Sequence, residues 1–222
     1  MPPLETKART PSSQLIGVLE APRRAEPADV PELVRVLAQS FDDDPYINWI
    51  VGTHGRRAAR IERLFAITLE SLSNDLRDTY TIEGSKGCVV WKHSRDCKLP
   101  LWRELALLPA FCRVGGVLRI GELLRAFGHI DALHAKHAPE PHYFLHVIGV
   151  SPGHQGRGLG HRLLQPSLDR CDREGMAAYL ETFKAKNLAF YERHGFRRVG
   201  SVELSPLPRG WLMRREPESR VS

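Results

Sequence analysis

Apolar positions along this chain switch between helical and strand-like periods. Between residues 27 and 41, Leu33, Val34, Leu37 and Phe41 recur at the spacing of one helix face. Pro27-Ala28-Asp29 opens that helix, and Pro31 sits in its first turn, where no N–H is needed. From residue 56 to about 74, Ile61, Leu64, Phe65, Thr68, Leu69 and Leu72 mark a second amphipathic helix. Asp42-Asp43-Asp44-Pro45-Tyr46 separates the two as a turn-forming acidic cluster. A short apolar run at 15–20 predicts a first strand. Residues 79–83 and 88–91 predict a hairpin around Gly84-Ser85-Lys86-Gly87. Residues 100–138 predict two or three helical pieces punctuated by Pro109 and Gly115-Gly116.

The most informative stretch is 143–160. Tyr143, Phe144, Leu145, Val147, Ile148 and Val150 form a nearly continuous apolar run, as in a strand covered on both faces. Ser151-Pro152-Gly153 stops it. Gln155-Gly156-Arg157-Gly158-Leu159-Gly160 then leads into a helix from Leu159 to about Gly175, with Leu163, Leu164 and Leu168 inward and a kink expected at Pro166. A strand feeding a glycine-rich turn at a helix N-terminus is an anion site, because exposed N–H groups and the helix dipole converge there. A Walker loop would need a Lys-Ser/Thr pair, which is missing. The Gly156, Gly158, Gly160 spacing does not fit a dinucleotide fingerprint either. Downstream, 178–182 reads as a strand and 187–196 as a short helix closed by Gly195. Strands near 197–204 and 210–214 finish the chain.

Gln-x-x-Gly-x-Gly after a strand, followed by Asn-x-x-x-Tyr-x-x-x-Gly-Phe, resembles the GNAT N-acetyltransferase superfamily. The pattern FL-x-x-x-GVSP-x-HQG-x-GLG, then LET, Asn187-Leu188 and FYER-x-GF, is most similar to puromycin N-acetyltransferase-like members. This detailed match covers about the last third of the chain. The resemblance implies an α/β fold, a mixed but mostly antiparallel twisted sheet with helices on both faces, splayed at an acetyl-CoA site. One domain over 15–216 is expected, with tails at 1–14 and 217–222. The 100–138 stretch stands where the minimal family fold has a short connection, and reads as acceptor-side wall or dimer surface.

Roles follow from the resemblance. Residues Gln155, Gly156, Arg157, Gly158, Leu159 and Gly160 would hold the pyrophosphate of acetyl-CoA. Ile148, Gly149 and Val150 would meet its pantetheine arm, a bulge near Gly149 freeing the Val150 N–H for the thioester oxygen. Tyr191 falls on the general-acid position, and Asn187, one turn earlier, would bond the cofactor. Asp43, Asp44 and Tyr46 fall on the loop that lines the acceptor pocket, where carboxylates would attract an ammonium ion. Glu181 and His146 compete for the role of base; Glu181 is preferred, with His146 otherwise a substrate contact.

Composition narrows the classes. With 222 residues, 42% hydrophobic and 26% charged, the chain suits one well-packed domain. Its charge of +6 suits an anionic ligand, yet no basic block with interleaved aromatics points to nucleic acid. No signal-peptide core and no apolar run near the ~20 residues of a membrane span appears. Cys88, Cys97, Cys112 and Cys171 lack a C-x-x-C pair and read as thiols of a reducing compartment, so a cytoplasmic protein is expected. His129, His134, His137, His142 and His146 crowd together without a metal-binding spacing. The expectation is direct acetyl transfer from acetyl-CoA to the primary amine of a small molecule, antibiotic-like or a polyamine, possible as a homodimer. Two rivals stay open: acetylation of protein lysines or N-termini, and a non-catalytic acyl-CoA sensor.

Overall fold

The computed structural model describes residues 21–52, 55–73 and 76–218. Its strands are β1 (Arg23–Arg24), β2 (Thr79–Ile82), β3 (Gly87–His93), β4 (His142–Val150), β5 (Ala177–Thr182), β6 (Arg197–Val202) and β7 (Gly210–Arg215). They form one sheet in the order β1-β2-β3-β4-β5-β7-β6. Only β4 and β5 pair in parallel; the other neighbours are antiparallel. The mixed, mostly antiparallel sheet expected from the sequence is the one observed. A parallel pair needs a crossover, and α6 (Leu159–Glu174) supplies it.

Both faces of the sheet are covered. Cys88 and Val90 of β3 pack toward α1 (Val30–Ser40), α2 (Pro45–Val51) and α3 (Arg57–Ile67), while Val89 and Trp91 pack toward α6. Leu33 and Leu37 of α1 are fully buried, as are Leu164 of α6 and Val89. Each such side chain contributes about 1.5–3 kcal/mol of burial. The inserted helices α4 (Leu101–Gly115) and α5 (Ile120–His137) extend the α1 side, with Val114 and Leu123 in the core. Leu101, Trp102 and Leu105 on α4 remain exposed.

Several details differ from the sequence expectation. The strand anticipated at 15–20 lies outside the described residues. The acidic stretch is not only a turn, because Asp44 caps α2, accepting from Tyr46 N–H at 2.9 Å and Ile47 N–H at 3.0 Å. The second amphipathic helix is α3, continued by a wider turn at Thr68–Leu72. Pro109 does not divide α4, and α6 continues through Pro166, where a kink rather than a break was expected. Both prolines are exposed, so their rings meet solvent rather than the core.

The bulge in β4 is also displaced. Trp91 pairs with Leu145 and Val90 with Val147, so His146 is the extra residue. Packing agrees: Tyr143 and Leu145 lie in the α6-side core, whereas Val147 lies in the α1-side core. Residues two apart on an unbroken strand share a face, so one inserted residue explains the switch. Gly149, where the bulge was anticipated, serves close packing instead. A Cβ there would lie 2.8 Å from Leu37 Cδ2 and overlap Ser40 Oγ, both on α1.

Candidate active site

Pairing of β4 with β5 stops at Leu145 and Leu180. Beyond that point β4 stays with β3 as far as Val150, and β5 stays with β7 as far as Thr182. A wedge therefore opens within the sheet, and His146 and Glu181 are the first residues on its two sides. Ser151 N–H donates to Lys86 C=O at 2.9 Å, which sets the phase of the β3–β4 ladder. Val147 and Gly149 turn their backbone groups toward β3, and Ile148 and Val150 turn theirs into the wedge. Gln155 Nε2 reaches back from the loop to donate to Val150 C=O at 3.0 Å. The N–H groups of Ile148 and Val150 face the gap without a strand opposite them.

The glycine loop lies at the wide end. Gly156 and Gly158 have φ of +76° and +79°, and a Cβ on either would meet nothing within 4 Å. That is a backbone conformation glycine adopts freely, beside open space rather than a packed wall. Arg157 is exposed, Leu159 is buried as the first residue of α6, and Phe190 packs 3.3 Å from the position a Gly160 Cβ would take. These residues fit an anion such as a pyrophosphate: open N–H groups, a helix N-terminus and an adjacent guanidinium.

Tyr191 lies on α7 (Leu188–Glu192), on the α6 side of the sheet, packed edge-on against Phe190 and Phe196. It is 7% exposed, and its hydroxyl forms no hydrogen bond among the described residues. Burial, with the Asp44 carboxylate second, pushes its phenol well above the usual value, so it keeps its proton. Asn187 precedes it by one turn at the start of α7, half-buried.

The opposite side of the wedge carries the titratable groups. Glu181 is surrounded to such a degree that burial, reinforced by Asp131, raises its carboxyl to about 8. Tyr179 Oη donates to Glu181 Oε1 at 3.3 Å, and His134 Nδ1 lies 3.8 Å from the same oxygen. His146 is held well below the usual histidine range by burial, then by Lys92 and His134. It is neutral at pH 7. Tyr46 stacks on Phe183 at 4.2 Å and on Trp49 at 6.1 Å, a flat aromatic wall beside the pocket.

The acidic loop is placed at this rim, but its charges are committed. Asp42 pairs with Arg57 at 2.6 Å. Asp43 pairs with Lys184 and, at 2.7 Å, with Lys186, and these partners hold its carboxyl down at about 2. Asp44 is buried under α2, and burial raises its pKa despite the two capping N–H groups. Asp43 and Asp44, expected to attract an ammonium ion, are thus already engaged by lysines and by the α2 N–H groups. Asp131 on α5 faces Glu181 from across the wedge, and its own carboxyl is raised by burial and then by Glu104. Sequence reasoning missed Asp131. Its signal was its place beside Ile130 and His134, on a helix read only as an insertion.

The Acetyltransferase (GNAT) family model matches residues 69–196. N-alpha-acetyltransferase RimI of Mycobacterium tuberculosis is 47% identical over 64 residues, which cover 28% of this chain and 39% of that protein. The chain spans about a quarter to two fifths of the length of the first curated relatives it matches. Among solved structures, a Corynebacterium glutamicum protein described as histone acetyltransferase HPA2 and related acetyltransferase aligns with a TM-score of 0.65 at 20% identity, over 92% of this chain and 99% of that one. Drosophila melanogaster polyamine N acetyltransferase, which forms N acetylagmatine, aligns with a TM-score of 0.60 at 17% identity, over 89% and 99%. The matched segment contains the glycine loop and both edges of the wedge, and it is more than half of the sequence: the protein belongs to the GNAT acetyltransferase family.

Proposed function

We propose that the protein transfers an acetyl group from acetyl-CoA directly to the primary amine of a small molecule. The observation that carries this reading is the wedge beyond Leu145 and Leu180, with free N–H groups on β4, a protonated tyrosine on one side and a high-pKa carboxyl on the other. Gly156, Gly158 and the α6 N-terminus would hold the pyrophosphate, with Arg157 adding charge and Asn187 a further hydrogen bond. Ile148 and Val150 N–H groups would pair with the amide-bearing arm as a neighbouring strand does. Val150 N–H would then stabilise the oxyanion formed at the thioester carbon.

An alkylammonium acceptor with a pKa near 10.4 must lose a proton first, which costs about 4.6 kcal/mol at pH 7. Glu181, poised at about 8, is matched to accept it. Tyr191 would then protonate the departing thiolate. Its raised pKa makes it a weak acid, but a thiolate in the same dry site is raised too. No cysteine lies beside the motif, so the transfer needs no acetyl-enzyme.

The covering of the acceptor side by α4 and α5, and the aromatic wall of Tyr46, Trp49 and Phe183, support a small acceptor. A structural neighbour acting on polyamines agrees with this. The resemblance to puromycin N-acetyltransferases adds an aminonucleoside to the candidates. The 47% identity to an N-alpha-acetyltransferase favours a second reading, acetylation of a protein N-terminus. The cytoplasm, where Cys88, Cys97, Cys112 and Cys171 would stay the free thiols observed, is the proposed compartment.

The test is thiol release from acetyl-CoA with monoamines, polyamines, puromycin and short peptides as acceptors. Release with a small amine supports the first reading, and release only with peptides transfers support to the second. Tight acetyl-CoA binding without release for any acceptor makes the chain a sensor.

A further inference from the structure

The deprotonation of each acceptor leaves one proton to be disposed of: R-NH3+ and acetyl-CoA give R-NH-acetyl, CoA-SH and H+. Glu181 lies within an enclosed site, so it must pass that proton on before the next turnover. Behind it is a line of groups that the transfer chemistry has not used, set off by one gap that must close from 3.8 Å to hydrogen-bond distance before a proton crosses. His134 Nδ1 of α5 is 3.8 Å from Glu181 Oε1. His134 Nε2 lies 2.7 Å from His142 Nε2 at the start of β4, and His142 Nδ1 lies 2.7 Å from the carbonyl oxygen of Glu140. The line ends at residues 139–141, which are exposed.

The tautomers follow from the acceptors. A carbonyl oxygen only accepts, so His142 Nδ1 carries a hydrogen. Neutral His142 then presents a bare Nε2, and His134 must donate to it from Nε2–H. His134 Nδ1 is left as a lone pair on the side of Glu181. Every member is therefore oriented in one direction, from pocket to surface. The rings are fixed in that plane: His134 stacks on Tyr179 at 4.4 Å and leans on Phe144 at 4.7 Å.

Resting on the proposed role of Glu181 as base, we infer that His134 and His142 form a proton exit from the acceptor pocket. The proton on Glu181 moves to His134 Nδ1 as the Nε2 proton of His134 moves to His142 Nε2. His142 releases its Nδ1 proton to water at the exposed turn as its contact with Glu140 opens. No imidazolium accumulates on His134, in keeping with a ring that burial and His142 depress to about 4. The starting tautomers return by exchange with water, each ring taking a proton on its bare nitrogen and releasing the one on the other, with no net proton gained or lost.

The electrostatic surroundings are those of a chain that is neutral at rest. Glu181 is faced by Tyr179 on its own strand, Asp131 and His134 on α5, Tyr46 on α2, and Cys97. His134 is faced by Glu181, His142 and His146, and by Tyr179. His142 is faced by Arg214 on β7, His93 on β3 and Glu140. Lys92 on β3 acts on His146 and on Asp131.

The test uses the full chain with His134→Gln and His142→Gln, an amine found to be a substrate, and imidazole as an external proton carrier. In dilute buffer each variant is expected to lose about tenfold in kcat, less than the ~10²–10⁴-fold of a group that itself exchanges a proton with the substrate, with both KM values within about twofold. Imidazole at high concentration should restore most of the loss in the variants and leave the parent unchanged. Unchanged kcat in either variant, or a loss that imidazole does not restore, overturns the exit path and leaves the pair a packing contact. Should His134→Gln fail to fold, His142→Gln decides, because it leaves the His134–Tyr179 stack in place. A parent inactive with every amine counts against acetyl transfer itself; an active parent with indifferent variants counts against the exit path alone.

Discussion

Replacing Glu181 with glutamine separates stability from function in a way the structure makes quantitative. The folded carboxyl keeps its proton to about pH 8, while an unfolded glutamate releases it near 4.5. Between those values the native state binds the extra proton, so stability falls as pH rises and the full penalty is present above pH 8. A rise from 4.5 to 8 corresponds to about 5 kcal/mol as an upper figure. The side chain is only 13% exposed, so solvent screening removes little of it. Glu181→Gln carries no charge at any pH. It should match the parent near pH 5 and exceed it by about 2–5 kcal/mol at pH 9, or about 5–15 °C in melting temperature. The same variant should lose about 10²–10⁴ in kcat/KM. The parent should show an acid limb in kcat/KM with a midpoint at about pH 8. The assays are thermal melts at several pH values and thiol release over the same range. Parent and variant melting in parallel from pH 5 to 9, or a variant within threefold of parental activity, would refute the reasoning.

Tyr191→Phe keeps the ring packing against Phe190 and Phe196, so it should fold normally, bind acetyl-CoA with KM within about twofold and lose at least about tenfold in kcat. Gly158→Ala puts a Cβ on a residue with φ of +79°; about 1–2 kcal/mol of backbone strain and a raised KM for acetyl-CoA, with the amine KM unchanged, should appear in denaturation and kinetics. Gly149→Ala should destabilise by about 1–3 kcal/mol through overlap with Leu37 and Ser40, measured by urea unfolding. Arg215 is 5% exposed and bidentate to Asp172 at 2.6 and 2.8 Å, so Arg215→Ala should cost about 3–5 kcal/mol in the same experiment and leave KM values unmoved.

Much of the fold was legible because its signals are local. The apolar run at 143–150, the glycines at 156 and 158 and the leucines of α6 each encode one element through spacing and φ preference. The position of the bulge was not legible, since register depends on which β4 residue meets Trp91, and the alternating pattern around His146 is equally apolar on both faces. The acidic loop misled for a related reason: Lys184 and Lys186 lie some 140 positions from Asp43 in the chain, and no periodicity announces that pairing. Tyr191 is singled out by its motif. Asp131, His134 and His142 belong to an insertion and its exit into β4, where no motif applies and only tertiary structure brings them to Glu181.

The measurement that bears most directly on the proposed acetyl transfer is a crystal structure with CoA bound. Its pantetheine arm should lie along 146–150 within the wedge, hydrogen-bonded to Ile148 and Val150, with the pyrophosphate on 155–160 and the sulfur beside Tyr191. CoA bound elsewhere, or a wedge closed by β5 pairing with β4 past Leu145, would contradict it.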